Sequence, residues 1–197
     1  LSRCCAVTRI CRRSSECGET LLALGQPDEG LRWLEEAVRQ DPNLPFAHLA
    51  LAHAYRDTIG DPDAAQEALV AAIMLDPDLV YAATYPGGAA FGAENPAYST
   101  LLDAFQAASE AAPSAPVLHN LAQLLALVPD YTQAALAAFE DAIRLDPDYG
   151  PAYVGLGNLL LDLGEVAEAV TVLEQALDRG YPHPSFEPWP VGAIHRR

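Results

Sequence analysis

The side chains that could do chemistry in this 197-residue chain are five histidines, four cysteines and 27 acidic residues. His48 and His53 are five residues apart, which turns them by roughly 140° around a helix, so they cannot share a metal as an i, i+4 pair would. All four cysteines lie within the first 17 residues, and their spacing differs from the paired C-x-x-C of a zinc site. We therefore expect no metal site and no cofactor.

The remaining polar residues do not form a catalytic pattern either. No G-x-S-x-G nucleophile motif is present, and a G-x-x-x-x-G-K-[ST] phosphate loop is impossible because the chain has no lysine. Several aspartates lie at the ends of predicted helices, where caps and turns explain them better than acid–base catalysis does. These aspartates are Asp41, Asp61, Asp76, Asp130 and Asp146. The sequence thus predicts no catalytic residue and a chain that is not an enzyme by itself.

Regularly spaced prolines indicate which elements position these side chains. Proline recurs at 42, 77, 113, 147 and 182, and each of the first four closes a predicted helical run. A period near 34 residues is typical of stacked helix-turn-helix repeats. The period predicts a repeat domain over 14–181, between a basic Cys/Arg-rich segment (1–13) and a proline-rich tail (182–197). Its five units lie near 11–44, 45–79, 80–114, 115–149 and 150–181.

The fifth unit shows the pattern of each repeat most clearly. Its first helix places large apolar residues on one stripe, with Gly157 where a side chain would keep the second helix away. Gly164 ends that helix, because glycine accepts the left-handed conformation of a C-terminal cap. The second helix then turns small and large apolar residues toward the first. The residues of this pattern are Tyr153, Leu156, Gly157, Leu160, Gly164, Ala169, Leu173 and Ala176.

This pattern resembles the tetratricopeptide repeat, and units one, two and four match it in register. Units two and four each contain one extra turn residue, near Ile59-Gly60 and Val128-Pro129. In unit one, Cys17 occupies the leucine position, so we interpret it as a packing residue. The resemblance implies an all-α fold. It implies specifically a right-handed α-α superhelix, a solenoid of about five helix-turn-helix repeats of which the third is degenerate.

The third unit departs from the pattern in its first helix. Pro86 costs a helix interior about 3 kcal/mol, and the glycines that follow it weaken the helix further. We expect a short helix to about Thr84, then a loop over 86–94. Two explanations stay open: a specialised loop in which Tyr85 and Phe91 contact a partner, or simple decay of the repeat. Decay is the favoured explanation.

In the resembled family, the first helix of each unit lines an inner groove that binds a peptide or a partner helix. The resemblance therefore implies a non-catalytic protein–protein interaction scaffold. The alternative is an accessory domain of a larger glycosyl- or sulfotransferase-type enzyme whose catalytic part lies outside this chain. The residues that map to the groove are Glu19, Leu22, Leu49, His53, Arg56, His119, Gln123, Ala126, Val154, Asn158, Leu161 and Asp162.

Two family subtypes do not fit these positions. Chaperone adaptors of the family grip a C-terminal carboxylate with groove lysines and asparagines, whereas this chain has no lysine and presents acidic Glu19. O-linked N-acetylglucosamine transferases carry an asparagine ladder just before each leucine–glycine pair, and only Asn120 matches it here. The type of partner is therefore left open by the resemblance.

Charge narrows the choice of partner. The formal net charge is −16, and residues 14–195 contain only five arginines against all 27 acids. Such a body should repel nucleic acid and anionic membranes and attract basic proteins or peptides, although solubility is the favoured explanation of the charge. With no evident secretory signal and no cysteine after Cys17, we expect a cytoplasmic location.

The end of the chain leaves three interpretations open. Phe186 and Trp189 lie in a segment with four prolines between 182 and 190, which favour an extended course. These aromatic residues would cover the exposed apolar face of the fifth unit, or enter a neighbouring molecule and cause self-association through this end. In the third interpretation, the natural protein continues beyond Arg197.

Overall fold

The computed structural model describes residues 14–84 and 96–179, and the side chains of 16–81 and 98–179. These residues form ten α-helices, one π-helical turn and one 3-10 turn, and none of them lies in a strand. They divide into two compact units, the first ending at Asp76 and the second beginning at Pro77. The predicted all-α class is confirmed.

From Ser14 onward, where its description begins, the first unit forms two helical hairpins. The helices are α1 (Ser14–Ala23), α2 (Pro27–Gln40), α3 (Pro45–Ala54) and α4 (Pro62–Leu75). The first hairpin closes at two glycines: a Cβ on Gly18 or on Gly30 would lie 2.9 Å from the carbonyl oxygen of the other. Glycine is therefore required there, because the two backbones come together at that crossing.

The extra residue predicted in the second repeat is absorbed by a π-helical turn over Tyr55–Ile59. The backbone N–H groups of Gly60 and Asp61 both donate to the carbonyl oxygen of Tyr55, at 2.8 and 3.0 Å. A π turn closes i to i+5 hydrogen bonds, so it accommodates one residue more than an α turn. Gly60 then leaves the turn with φ of +75°, the left-handed conformation that glycine adopts readily.

The described residues of the second unit form six helices. They are α5 (Pro77–Thr84), α6 (Pro96–Ala111), α7 (Ala115–Leu125), α8 (Thr132–Leu145), α9 (Gly150–Asp162) and α10 (Val166–Asp178). The pairs α7–α8 and α9–α10 pack as hairpins, whereas the described parts of α5 and α6 have no comparable contact and both pack on α7. Among the described residues, the third repeat thus shows no hairpin like those of the fourth and fifth repeats.

The third repeat also begins earlier than its predicted boundary at residue 80. Helix α5 starts at Pro77, directly after Asp76 ends α4. In the other repeats the corresponding proline, such as Pro147, lies in the loop before the helix. The shift is possible because proline is well tolerated in the first turn of a helix, where its missing N–H has no intrahelical partner.

Small residues form the core where α7, α8 and α9 meet. Ala115, Ala142 and Ala152 are buried together at this junction. The ring of Phe139 on α8 occupies the space where a Cβ on Gly155 of α9 would lie. Because these residues are small, neighbouring repeats approach closely, as the sequence pattern predicts.

The connections between helices are held by two sets of polar contacts. The Asp61 side chain accepts a hydrogen bond from the N–H of Ala64 at the start of α4. Asp41 and Asp146 each accept one from the backbone N–H two residues later. The cap role predicted for Asp61 and the turn roles predicted for Asp41 and Asp146 are thus confirmed. The aromatic position of the repeat adds a second contact. His48 Nε2 and the Tyr153 hydroxyl each donate to a carbonyl oxygen six residues earlier, at 2.9 Å. His48 is half-buried rather than enclosed in the core.

Some sequence predictions concern parts of the chain outside the described residues. These are the basic segment 1–13, the loop over 86–94 with Tyr85 and Phe91, and the proline-rich tail with Phe186 and Trp189.

Candidate partner-binding surface

In the second unit, the predicted groove residues lie on α7 and α9, the first helices of the fourth and fifth repeats, which contact each other. On α9, Asn158 and Asp162 are half-buried and Leu161 is exposed, with half-buried Val154 one turn before Asn158. Spacings of three and four residues bring these four residues onto adjoining turns. We call them the α9 strip; it combines aliphatic contact area with one amide and one carboxylate.

The polar groups of the α9 strip make few contacts within the described part of the chain. Among the described residues, the Asn158 amide has no hydrogen-bond partner and no arginine pairs with Asp162. Burial raises the pKa of the Asp162 carboxyl, because desolvation disfavours its charged form. A cationic or hydrogen-bonding ligand group at this carboxylate would restore part of the lost solvation.

His119 on α7 does not offer its side chain to a partner, contrary to the prediction that it lines the groove. Only 6% of the residue is exposed, and its ring lies against Phe139 and Tyr149, with centroids 5.7 and 5.6 Å away. Burial lowers its pKa to about 3, so the imidazole is neutral. The ring is enclosed because Phe139 of α8 and Tyr149 of the α8–α9 connection pack against it.

Gln123, one turn further along α7, is half-buried and lies at the edge of this enclosure. Its Nε2 is 2.6 Å from His119 Nε2, so the amide donates and the imidazole nitrogen accepts. The proton of neutral His119 is then on Nδ1, which has no hydrogen-bond partner among the described residues. Gln123 therefore orients His119 rather than serving only as a surface group.

Asn120 has a structural role that the sequence did not reveal. Its Nδ2 donates to Asp78 Oδ1 at 2.7 Å, which joins α7 to α5, and the residue is buried. The sequence showed that Asn120 holds a position where some members of the family carry asparagine, but it did not show that Asp78, 42 residues earlier, is its partner. A buried amide on the apolar side of a helix was the available signal, since such a group requires a partner.

The first unit carries the other predicted groove residues. Leu49 on α3 is 5% exposed and belongs to the core, so its assignment to an accessible surface was wrong. The local reason is the alanine-rich sequence of α3, which lets helices approach it closely on more than one side. Glu19 on α1 is exposed, and partial burial together with the nearby Glu16 raises the pKa of its carboxyl.

Arg56 is exposed in the π turn, but its guanidinium is already engaged. Nε and one terminal nitrogen donate to the two carboxylate oxygens of Asp57 at 2.7 and 2.9 Å. His53, one turn earlier, is half-buried, and burial followed by the positive charge of Arg56 lowers its pKa. Any ligand carboxylate that approached Arg56 would therefore compete with Asp57.

The described residues contain neither a metal site nor a membrane span. No group of three or more His, Cys, Asp or Glu side chains is arranged to hold a metal ion in this part of the chain. None of the described helices is long and apolar enough to cross a membrane.

The hairpins, their glycine crossings and the strip on the first helices define a helical-repeat protein. The family model of the tetratricopeptide repeat matches residues 21–84 and 130–185, which is more than half of the chain. The chain therefore belongs to the tetratricopeptide repeat family, and the resemblance stated from its residues is confirmed.

Comparison with solved structures gives similar chains of low identity. MamA from Desulfovibrio magneticus RS-1 is 21% identical over 88% of this chain and 97% of that chain, with a TM-score of 0.47. TTC0263, a thermophilic TPR protein of Thermus thermophilus, is 22% identical over 92% and 97%, with a TM-score of 0.49. YrrB, described as a TPR protein with an unusual peptide-binding site, is 16% identical over 91% and 89%, with a TM-score of 0.48. No curated protein matches the sequence.

Proposed function

We propose that this chain is a non-catalytic interaction scaffold that binds a peptide or a partner helix along the first helices of its repeats. The observation that carries the proposal is the α9 strip, in which the half-buried amide of Asn158 and the desolvated carboxylate of Asp162 lie beside exposed Leu161. In interfaces of this kind, aliphatic side chains provide most of the buried contact area, and a few polar groups fix the position of the ligand along the surface.

The proposed ligand is basic. Residues 77–179 contain fourteen acids and two arginines, Arg144 and Arg179. Arg144 pairs with Asp141, and Arg179 donates to the carbonyl oxygens of Pro147 and Gln175. Because both cations are engaged, an arginine or lysine of the ligand is the natural partner of Asp162. Backbone amides of an extended ligand would pair with Asn158, whose side chain both donates and accepts.

A peptide-display library panned on the immobilised chain tests this proposal. Peptides selected by the unmodified chain should be enriched in arginine or lysine, and their affinity should fall about tenfold or more for a chain carrying Asn158→Ala and Asp162→Ala. That loss corresponds to roughly 1.4 kcal/mol or more. The melting temperature of the variant should stay close to that of the unmodified chain.

A matched control removes the same two groups from another face. Gln175→Ala with Glu174→Ala also deletes one amide and one carboxylate, from exposed positions on α10. Its net charge equals that of the test variant, so a general electrostatic effect would appear equally in both. Equal loss in the two variants, or no loss in the test variant, would place the binding surface elsewhere and reject the proposal.

A further inference from the structure

Helix α10 carries an exposed apolar stripe on one side. Val166, Val170 and Leu177 are 57%, 47% and 51% exposed, and half-buried Leu173 lies between the last two. Their spacings of four, three and four residues place them on one face of the helix. Isolated exposed apolar residues are common, but a continuous row along a whole helix indicates a surface that becomes covered.

The preceding repeat shows how such a stripe is covered. Phe139 and Ile143 on α8 occupy the positions that Leu173 and Leu177 occupy on α10, one period earlier. Phe139 is fully buried because α9 presents Gly155 against its ring, and Ile143 packs on the small-residue core that includes Ala152. On the corresponding side of α10, no helix follows among the described residues. The α10 stripe therefore lacks the cover that α8 receives.

The chain that follows α10 has the composition to provide this cover. Residues 180–197 include Phe186, Trp189 and Ile194, and four prolines lie between 182 and 190. An extended proline-rich segment advances about 3.1 Å per residue, so nine residues span about 28 Å. A helix of the length of α10 is about 20 Å long at 1.5 Å per residue. The segment is thus long enough to run back along the whole stripe.

Arg179 fixes where this segment leaves the helix. Its guanidinium lies 4.5 Å from the centroid of the Tyr153 ring, and its Nε donates to the Pro147 carbonyl oxygen at 2.8 Å. These contacts anchor the end of α10 against the α8–α9 connection and α9. The residues that follow therefore start from a helix end that is held in place, which lowers the entropy lost when they dock.

Charge favours this segment over a second copy of α10. The helix and its flanks carry four acids, Glu165, Glu168, Glu174 and Asp178, against the single Arg179. Two such helices side by side would bring like charges together. Residues 180–197 instead carry Arg196 and Arg197 against Glu187, and also His183 and His195. Opposite charges thus support the apolar contacts.

We propose that residues 180–197 dock in an extended conformation on the α10 stripe of the same chain, with Phe186 and Trp189 covering Val170, Leu173 and Leu177. Docked in this way, the segment covers apolar side chains that α10 exposes among the described residues. This interaction is separate from ligand binding on the α9 strip, so either proposal can fail alone.

Fluorescence of Trp189 tests the docking. The chain has two tryptophans, so Trp33→Phe leaves Trp189 as the reporter. In the folded protein its emission should be blue-shifted, and its quenching by acrylamide should be several-fold weaker than in denaturant. Val170→Glu should abolish both effects, whereas Gln175→Glu on the opposite face of α10 should leave them unchanged. Trp189 as accessible in the folded as in the denatured chain, or unaffected by Val170→Glu, would overturn the proposal.

A second measurement does not depend on replacing Trp33. Benzoylphenylalanine placed at position 170 should cross-link on illumination to a peptide from 180–197 at the mass of a single chain, and the same group at position 175 should not. Cross-links at twice that mass, to another segment, or equal from both positions would each contradict docking within one chain.

Discussion

The Asn120 amide donates from Nδ2 to the Asp78 carboxylate at 2.7 Å, linking the first helix of the fourth repeat to the first helix of the third. Asn120 is 2% exposed, so this contact lies on the packed side of α7. Helix α5 packs on α7, so the hydrogen bond is part of the contact between these two helices.

Replacing Asn120 by alanine should lower the free energy of unfolding by about 1–3 kcal/mol, since a buried amide and its bond to a charged acceptor are lost. Chemical denaturation followed by circular dichroism measures this change. Asn158→Ala is the matched control, because that half-buried amide has no partner among the described residues and should change stability little. Equal losses in the two variants would contradict the role assigned to Asn120.

His119 should make the stability of the protein fall as the pH falls from about 6.5. Burial lowers its pKa to about 3 in the folded state, while in the unfolded chain it takes up a proton near pH 6.5. The unfolded state therefore binds more protons in this window, and each pH unit below 6.5 costs up to about 1.4 kcal/mol.

The comparison with His119→Leu isolates this effect from other titrating groups. Urea denaturation between pH 7.5 and 5 should show the unmodified chain losing stability relative to the variant as the pH falls. Parallel stability profiles for the two proteins would mean that the imidazole is accessible to protons in the folded state.

Gly157→Ala should destabilise the fifth repeat although alanine is the better helix former. A Cβ at this position would lie 2.6 Å from both Cγ and Cδ2 of Leu173, so α9 and α10 would have to separate. Overpacking of this kind costs about 1–3 kcal/mol, against about 1 kcal/mol gained in helix propensity. Thermal unfolding measures the balance, with Asp162→Ala on the same helix as control. A variant as stable as the control would show that the crossing is looser than described.

Gly60→Ala should cost about 1 kcal/mol through backbone conformation alone. The residue has a φ of +75°, and a Cβ there would meet no atom within 4 Å, so no clash contributes. Gly60→Asn should cost less, because asparagine tolerates the left-handed region better than alanine does. Denaturation midpoints of the two variants check this order. The reverse order would contradict the π-turn geometry at Tyr55–Ile59.

Much of the fold could be predicted from local sequence. Prolines and Gly164 mark helix ends, and Gly157, Leu173 and Ala176 lie where the period places them, because helix propensity and a 3.6-residue periodicity act within a few turns. Even the extra residue before Gly60 was visible, although not the π turn that accommodates it.

The sequence by itself determined which residues face the paired helix, because that face repeats with the period. The tertiary structure alone decided which side chains of the other face remain accessible. His119 and Leu49 hold groove positions in the pattern, yet both are buried, whereas Asn158 and Asp162 are only half-buried. The exposure of the face that turns away from the paired helix depends on residues distant in sequence, as the bond between Asn120 and Asp78 illustrates. The repeat period does not reveal which of these distant residues come into contact.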